Sequence, residues 1–190
     1  MKKLTTLFLF LLISLSVQSQ FFEGKKEVTK YNGYFTFYYD SSSDKIFLQI
    51  DKLDNEFLYV RSLSEGIGSN DIGLDRGQLG GGVVVHFKKA GNKILMVQPN
   101  QDYRAITDNE EEKNSVKEAF AKSILHGFVI KKEKNGAYLV DATSFFMRDA
   151  HGVSRTLTRN KQGSYSLDKS RSAFNLNRTK AFPKNVEFDV

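Results

Sequence analysis

Residues 83–98 read VVVHFKKAGNKILMVQ. Val83, Val85 and Phe87 alternate with Val84, His86 and Lys88, the period-two pattern of a strand with one buried face. Ala90-Gly91-Asn92 then interrupts the run as a hairpin turn, and Lys93–Gln98 returns as a second strand that Pro99 closes. The first strand of this pair spans Gly82–Lys89.

The same grammar continues in both directions. Upstream, Tyr34–Asp40, Lys45–Asp51 and Glu56–Ser62 are aromatic and β-branched runs, separated by the turns Ser-Ser-Ser-Asp and 52–55. Downstream, Phe128–Lys132 and Tyr138–Asp141 flank a Lys-Asn-Gly turn. One helix is expected between these groups. Asp108 stands at its N-cap with Glu111 three residues on, and Glu110, Glu111 and Glu112 favour the positive end of the helix dipole. Val116, Ala119, Phe120, Ser123 and Ile124 form one stripe at helical spacing, and Gly127 would end the helix. A short helix, Ser144–Arg148, follows with Thr143 as its cap. The pattern weakens from Asp149 until a final strand-like alternation over 186–190. The fold class is α+β: a mostly antiparallel β-sheet, meander or partly closed barrel, with one main packed helix at about 109–125. Residues 20–33 read as an exposed lead-in and 34–190 as a single β-rich domain.

Composition bounds the function. The 190 residues are 40% hydrophobic and 26% charged, a globular balance. Lys2 and Lys3 precede the apolar run Leu4–Val17, which is shorter than the ~20 residues a spanning helix needs. With Val17-Gln18-Ser19 as the cleavage region, residues 1–19 read as a cleavable signal peptide and the protein as periplasmic or secreted. No membrane span is expected after cleavage. The absence of cysteine excludes a lipid anchor on that residue and thiolate zinc sites. The remaining 26 basic and 22 acidic residues are scattered along the chain, with no basic stripe of the kind nucleic acid requires.

Residues 66–82, GIGSNDIGLDRGQLGGG, are the richest in glycine. Gly68 and Gly73 have phosphate-loop spacing, but Leu74 and Asp75 stand where Lys and Ser or Thr belong. A dinucleotide fingerprint fails at Asp71, and a strand follows instead of a helix. Asp71 and Asp75 lack the alternate spacing of a calcium loop. The glycines therefore read as a backbone device, with Asp75-Arg76 as an internal ion pair or a clamp on loop carbonyls. His86, His126 and His151 show no ligand spacing, and neither H-E-x-x-H nor G-x-S-x-G occurs. No catalytic residue and no metal ligand is assigned to this chain.

Several ordered strings nonetheless resemble one family. They are Glu65–Gln78, Gln98-Pro99-Asn100 with Tyr103-Arg104-Ala105, and Ala119–Leu125. Leu139–Thr143, Arg148–Val153, Gly163-Ser164-Tyr165, Ser170-Arg171-Ser172 and Lys180–Glu187 continue the series. From about Gly33 to Val190 the chain is similar to the N-terminal domain, of unknown function, of bacterial exported zinc-dependent metalloproteases of the met-zincin type. The resemblance implies a zinc peptidase parent whose extended H-E-x-x-H helix lies in a later domain. None of those zinc-site residues is present here. This chain would be a noncatalytic accessory domain, the N-terminal part of a longer protein. It would need no cofactor of its own, with zinc held by the parent. Its partners would be the C-terminal metallopeptidase domain and, through it, a peptide or protein substrate. Asp75, Arg76, Gln78, Arg104, Asp149, His151 and Arg171 are the candidates for structural or interdomain roles. The competing class is a free-standing exported β-rich module that binds a ligand or partner.

Overall fold

A computed structural model describes residues 21–68 and 70–190; the signal-peptide segment 1–19 lies outside them. Ten strands form: β1 Val28–Tyr31, β2 Phe37–Asp40, β3 Lys45–Ile50, β4 Phe57–Tyr59, β5 Val83–Ala90, β6 Lys93–Gln98, β7 Ser123–Lys134, β8 Ala137–Asp141, β9 Lys180–Ala181 and β10 Val186–Glu187. The helices are α1 Glu110–Ala119, α2 Thr143–Phe146 and α3 Val153–Arg159. Strands one to eight make a single antiparallel sheet in the order β1-β2-β3-β8-β7-β6-β5-β4. β1 and β4 are its open edges. The chain thus runs a three-strand meander, crosses to the far edge, and meanders back until β8 pairs with β3, Phe47 opposite Asp141 and Leu48 opposite Val140. The fold is the β-dominated α+β arrangement read from the sequence.

Alternation decides which side chains are buried. Val85, Phe87, Ile94 and Met96 of the β5–β6 hairpin join Phe37, Ile46, Leu48, Ile50, Phe128 and Val140 in one inner-face core. Phe35, just ahead of β2, touches Phe57 of β4 and Phe87 of β5 at ring separations of 5.1 and 5.5 Å. The sheet therefore curls until its two ends share one aromatic cluster. Full burial of such side chains stabilises by about 1.5–3 kcal/mol each, so these rings hold the curl. The β9–β10 hairpin covers one end: Phe188 stacks on Phe146 at 3.8 Å and packs against Phe37 at 4.8 Å.

The structure corrects five local expectations. The helix expected over 109–125 stops at Ala119 and buries no residue. Ile124 and Gly127 belong to β7, where Ile124 pairs with Val97 and Gly127 with Leu95. Strand pairing there prevails over helical spacing, because Ile-Leu-His-Gly-Phe-Val-Ile is apolar and β-branched enough to complete β6. Phe120 stacks on Tyr103, 3.9 Å away and nearly parallel at 9°. Asn109, not Asp108, caps α1, its side chain accepting from the Glu111 N–H at 2.9 Å. Thr143 lies inside α2, and its hydroxyl oxygen accepts from the Ile46 N–H at 3.0 Å. The lead-in 20–33 contains β1, paired with β2. Phe21 within it is buried in a second cluster with Tyr38, Ala137 and Leu139 on the outer face. Finally, α3 forms in the segment after Asp149, where the sequence pattern had faded.

Candidate functional site

The glycine-rich stretch is the tip of a hairpin that prolongs β4. Residues 61–67 run back against 74–80: Gly80 N–H donates to Arg61 O at 2.6 Å, Leu63 N–H to Gln78 O at 3.0 Å, and Gly77 N–H to Leu63 O at 2.6 Å. Leu74 is buried and anchors the returning limb. Two glycines show what the sequence is for. A Cβ on Gly66 would lie 2.7 Å from the Arg76 nitrogen, so no side chain fits between the limbs. Gly77 adopts φ +78°, the left-handed region that glycine enters without a steric cost. The N–H groups of Gly77 and Gly80 serve the hairpin.

The segment after α2 packs beside this hairpin. The Arg61 guanidinium donates to Ala150 O at 3.0 Å, and a Cβ on Gly80 would sit 3.6 Å from His151 Nδ1. That Nδ1 is buried without a hydrogen-bond partner among the described residues. Asp149 organises the loop. Its carboxylate accepts from the backbone N–H groups of Gly152, Val153 and Ser154 at 2.9, 2.7 and 2.8 Å, capping the start of α3. Burial raises the pKa of this carboxyl, but the hydrogen bonds from Ser154, Val153 and Gly152 outweigh it and leave it below 3.8.

A step further along the same seam, Arg148 donates to the Tyr59 hydroxyl at 3.1 Å and lies 4.3 Å over the Phe145 ring. His126 packs edge-on against Phe128 at 4.5 Å and tilted against Phe145 at 5.0 Å. Burial, reinforced by the nearby Arg148 charge, pushes its pKa below 6.5.

Of the seven candidates named from the sequence, the structure brings Asp149 and His151 to the hairpin that carries Asp75, Arg76 and Gln78. Asp75, Arg76 and Gln78 are exposed. Asp75 and Arg76 form no ion pair with each other, because the tight Gln78 N–H to Asp75 O turn directs both side chains to solvent. Arg104 is exposed on the 99–109 loop. Arg171 makes a local 2.8 Å ion pair with Asp168 in a 3₁₀ turn, Lys169–Arg171. Sequence reading missed Tyr59, Arg61 and the role of Arg148. Each meets a partner distant in the chain, and no local pattern marks such a pair.

Chemically the seam is a clamp and a surface. Among the described residues no group of three or more His, Cys, Asp or Glu is placed to hold a metal, so zinc chemistry has no ligand set here. The hairpin and the adjoining β4 edge expose apolar side chains instead: Leu79 at 72%, Leu58 at 66%, Ile67 at 44% and Val60 at 42%. Beside Leu58 runs a cleft of ≈ 590 Å³, walled by Gly82–Val84 on one side and by Pro99–Tyr103 with Phe120 on the other. Among the described residues no helix is long and apolar enough to cross a membrane.

The fold and seam define a β-rich domain with an exposed apolar edge. Residues 77–190 match the family described as Domain of unknown function (DUF5117), and the chain belongs to that family. Residues 24–66 match a second description, Domain of unknown function (DUF5118). The two matched segments contribute strands to the same sheet, through the β3–β8 and β4–β5 pairings. The join between them, 67–76, is the tip of the glycine hairpin. No curated protein and no solved structure matches the chain.

Proposed function

We infer that this chain is the noncatalytic accessory domain of an exported zinc-dependent metallopeptidase, and that the β4 edge with its glycine hairpin is the face that packs on the catalytic domain. The observation that carries this reading is the run of exposed Leu58, Val60, Ile67 and Leu79 on a ladder fixed by short hydrogen bonds. Contiguous exposed apolar surface marks interaction sites on soluble proteins. The strings that resemble the peptidase family, Glu65–Gln78 and Arg148–Val153, are the two limbs of this seam. Export rests on the signal-like 1–19, and zinc is assigned to the parent's later domain.

The test uses the product of the complete reading frame that encodes this chain. Bound zinc and chelator-sensitive peptide hydrolysis are the expected results. Leu58→Asp with Leu79→Asp should lower the melting temperature of that product while leaving the 190-residue chain unchanged. A frame that ends without H-E-x-x-H and yields a zinc-free product overturns the reading. A free-standing module binding its ligand in the 590 Å³ cleft would then replace it.

A further inference from the structure

The outer face of the sheet carries a charge asymmetry that the linear sequence hides. Residues 21–190 hold 26 basic and 22 acidic residues, a surplus of four. β5, β6 and β7 together hold six lysines and one glutamate, a surplus of five, so the rest of the described chain is close to neutral. The strand register sorts these lysines by face. Lys89 points to the inner side, over the Tyr138 ring at 4.6 Å and paired with Glu133 at 3.0 Å. Lys88 lies opposite Leu95, and Lys93 opposite Val129, on the outer side. A bulge between Ile130 and Lys132 brings Lys132 out as well, opposite Leu139. There it approaches the Phe22 ring at 5.5 Å, and Lys25 approaches the same ring at 5.7 Å.

Lys88, Lys93 and Lys132 are exposed and make no ion pair among the described residues. The carboxylates of this face lie beside other lysines or in turns: Asp141 beside Lys45, Glu23 beside Lys134 next to Lys132, and Asp40 in the β2–β3 turn. Val129, opposite Lys93, and Ile124, opposite Val97 near the start of β7, are open to solvent at 45% and 62%. We propose that the outer face of β5–β7, through Lys88, Lys93 and Lys132, docks on a bilayer surface rich in anionic phospholipid. Charge complementarity selects an anionic partner. The flexible point charges of lysine fit a disordered plane of headgroups better than a fixed bidentate site, which favours arginine. Val129 and Ile124 supply aliphatic side chains able to enter the interface, which a soluble polyanion would leave wet. This face is separate from the β4 seam and does not depend on the peptidase reading.

Flotation of the full chain with vesicles of equal parts phosphatidylcholine and phosphatidylglycerol tests it, against phosphatidylcholine alone. The expected result is association with the anionic vesicles only, weakened by added salt. Lys88→Glu, Lys93→Glu and Lys132→Glu together should weaken it on the order of a hundredfold. The triple Lys→Gln variant should show a smaller loss of the same kind, and it guards against a folding defect in the first. Lys180→Glu with Lys184→Glu, outside this face, should leave association intact. Failure to float with anionic vesicles, or equal flotation of both triple variants and the natural chain, overturns the proposal. So does binding to heparin without binding to vesicles, which would make the face a polyanion site.

Discussion

The inner and outer faces of the same strands obey different rules. On β5 and β6 the inner residues Val85, Phe87, Ile94 and Met96 are almost fully buried, while their outer neighbours Lys88 and Lys93 stand in solvent. The inner face is one continuous core. The outer face is divided: Phe21 and Phe22 roof Tyr38, Phe47 and Leu139 near β1–β3 and β8, and lysines occupy the open part over β5–β7. Stability resides on the first face and in the roofed part of the second, and the open remainder is free to serve contacts.

Mutations should break that contrast in a graded order. Phe37→Ala, at the centre of the inner core, should cost about 3–5 kcal/mol, read from the urea midpoint. Gly66→Ala forces a Cβ to within 2.7 Å of backbone between the hairpin limbs, and a loss of about 1–3 kcal/mol is expected by analogy with overpacked sites. Gly81→Ala, where a Cβ would meet nothing, is the control and should be nearly neutral. Asp149→Ala removes the cap of α3 and should cost about 1 kcal/mol at pH 7. Because the folded pKa of Asp149 lies below 3.8, its contribution is present above that value and is lost as pH falls through the folded pKa.

His126 sharpens the comparison through pH. Its folded pKa lies below 6.5. As pH drops from about 6.5, the unfolded chain gains a proton that the folded chain resists. The stability present above 6.5 should therefore decline on acidification, and His126→Gln should flatten that decline in melts recorded between neutral and mildly acidic pH. Lys93→Ala, on the open outer face, should change stability by no more than about 0.5 kcal/mol.

Much of the inner face was legible because period-two alternation is local. The 83–98 hairpin shows its two strands to within a residue. The roof was not legible. Val-Thr-Lys-Tyr holds three strand formers but is only four residues long within a charged lead-in, and β1 exists because β2 pairs with it and because Phe21 and Phe22 find a surface. The stripe ending at Ile124 read as helix because apolar residues at suitable spacing satisfy either period when the partner strand is unknown. The lysine face was hidden by register and by a β-bulge, both products of pairing. At the seam, the glycines announced a backbone device. The pairings Arg61 with Ala150 and Arg148 with Tyr59 join positions whose proximity only the curled sheet creates.

The central claim is that the β4 edge and glycine hairpin are covered by a further domain of the parent protein. Amide hydrogen exchange of residues 57–67 and 74–82, compared between the isolated chain and the product of its complete reading frame, tests this directly. The account predicts markedly slower exchange in the complete product at these segments, with Gly91 and the β5–β6 turn unchanged. Equal exchange in both proteins across the hairpin would contradict it.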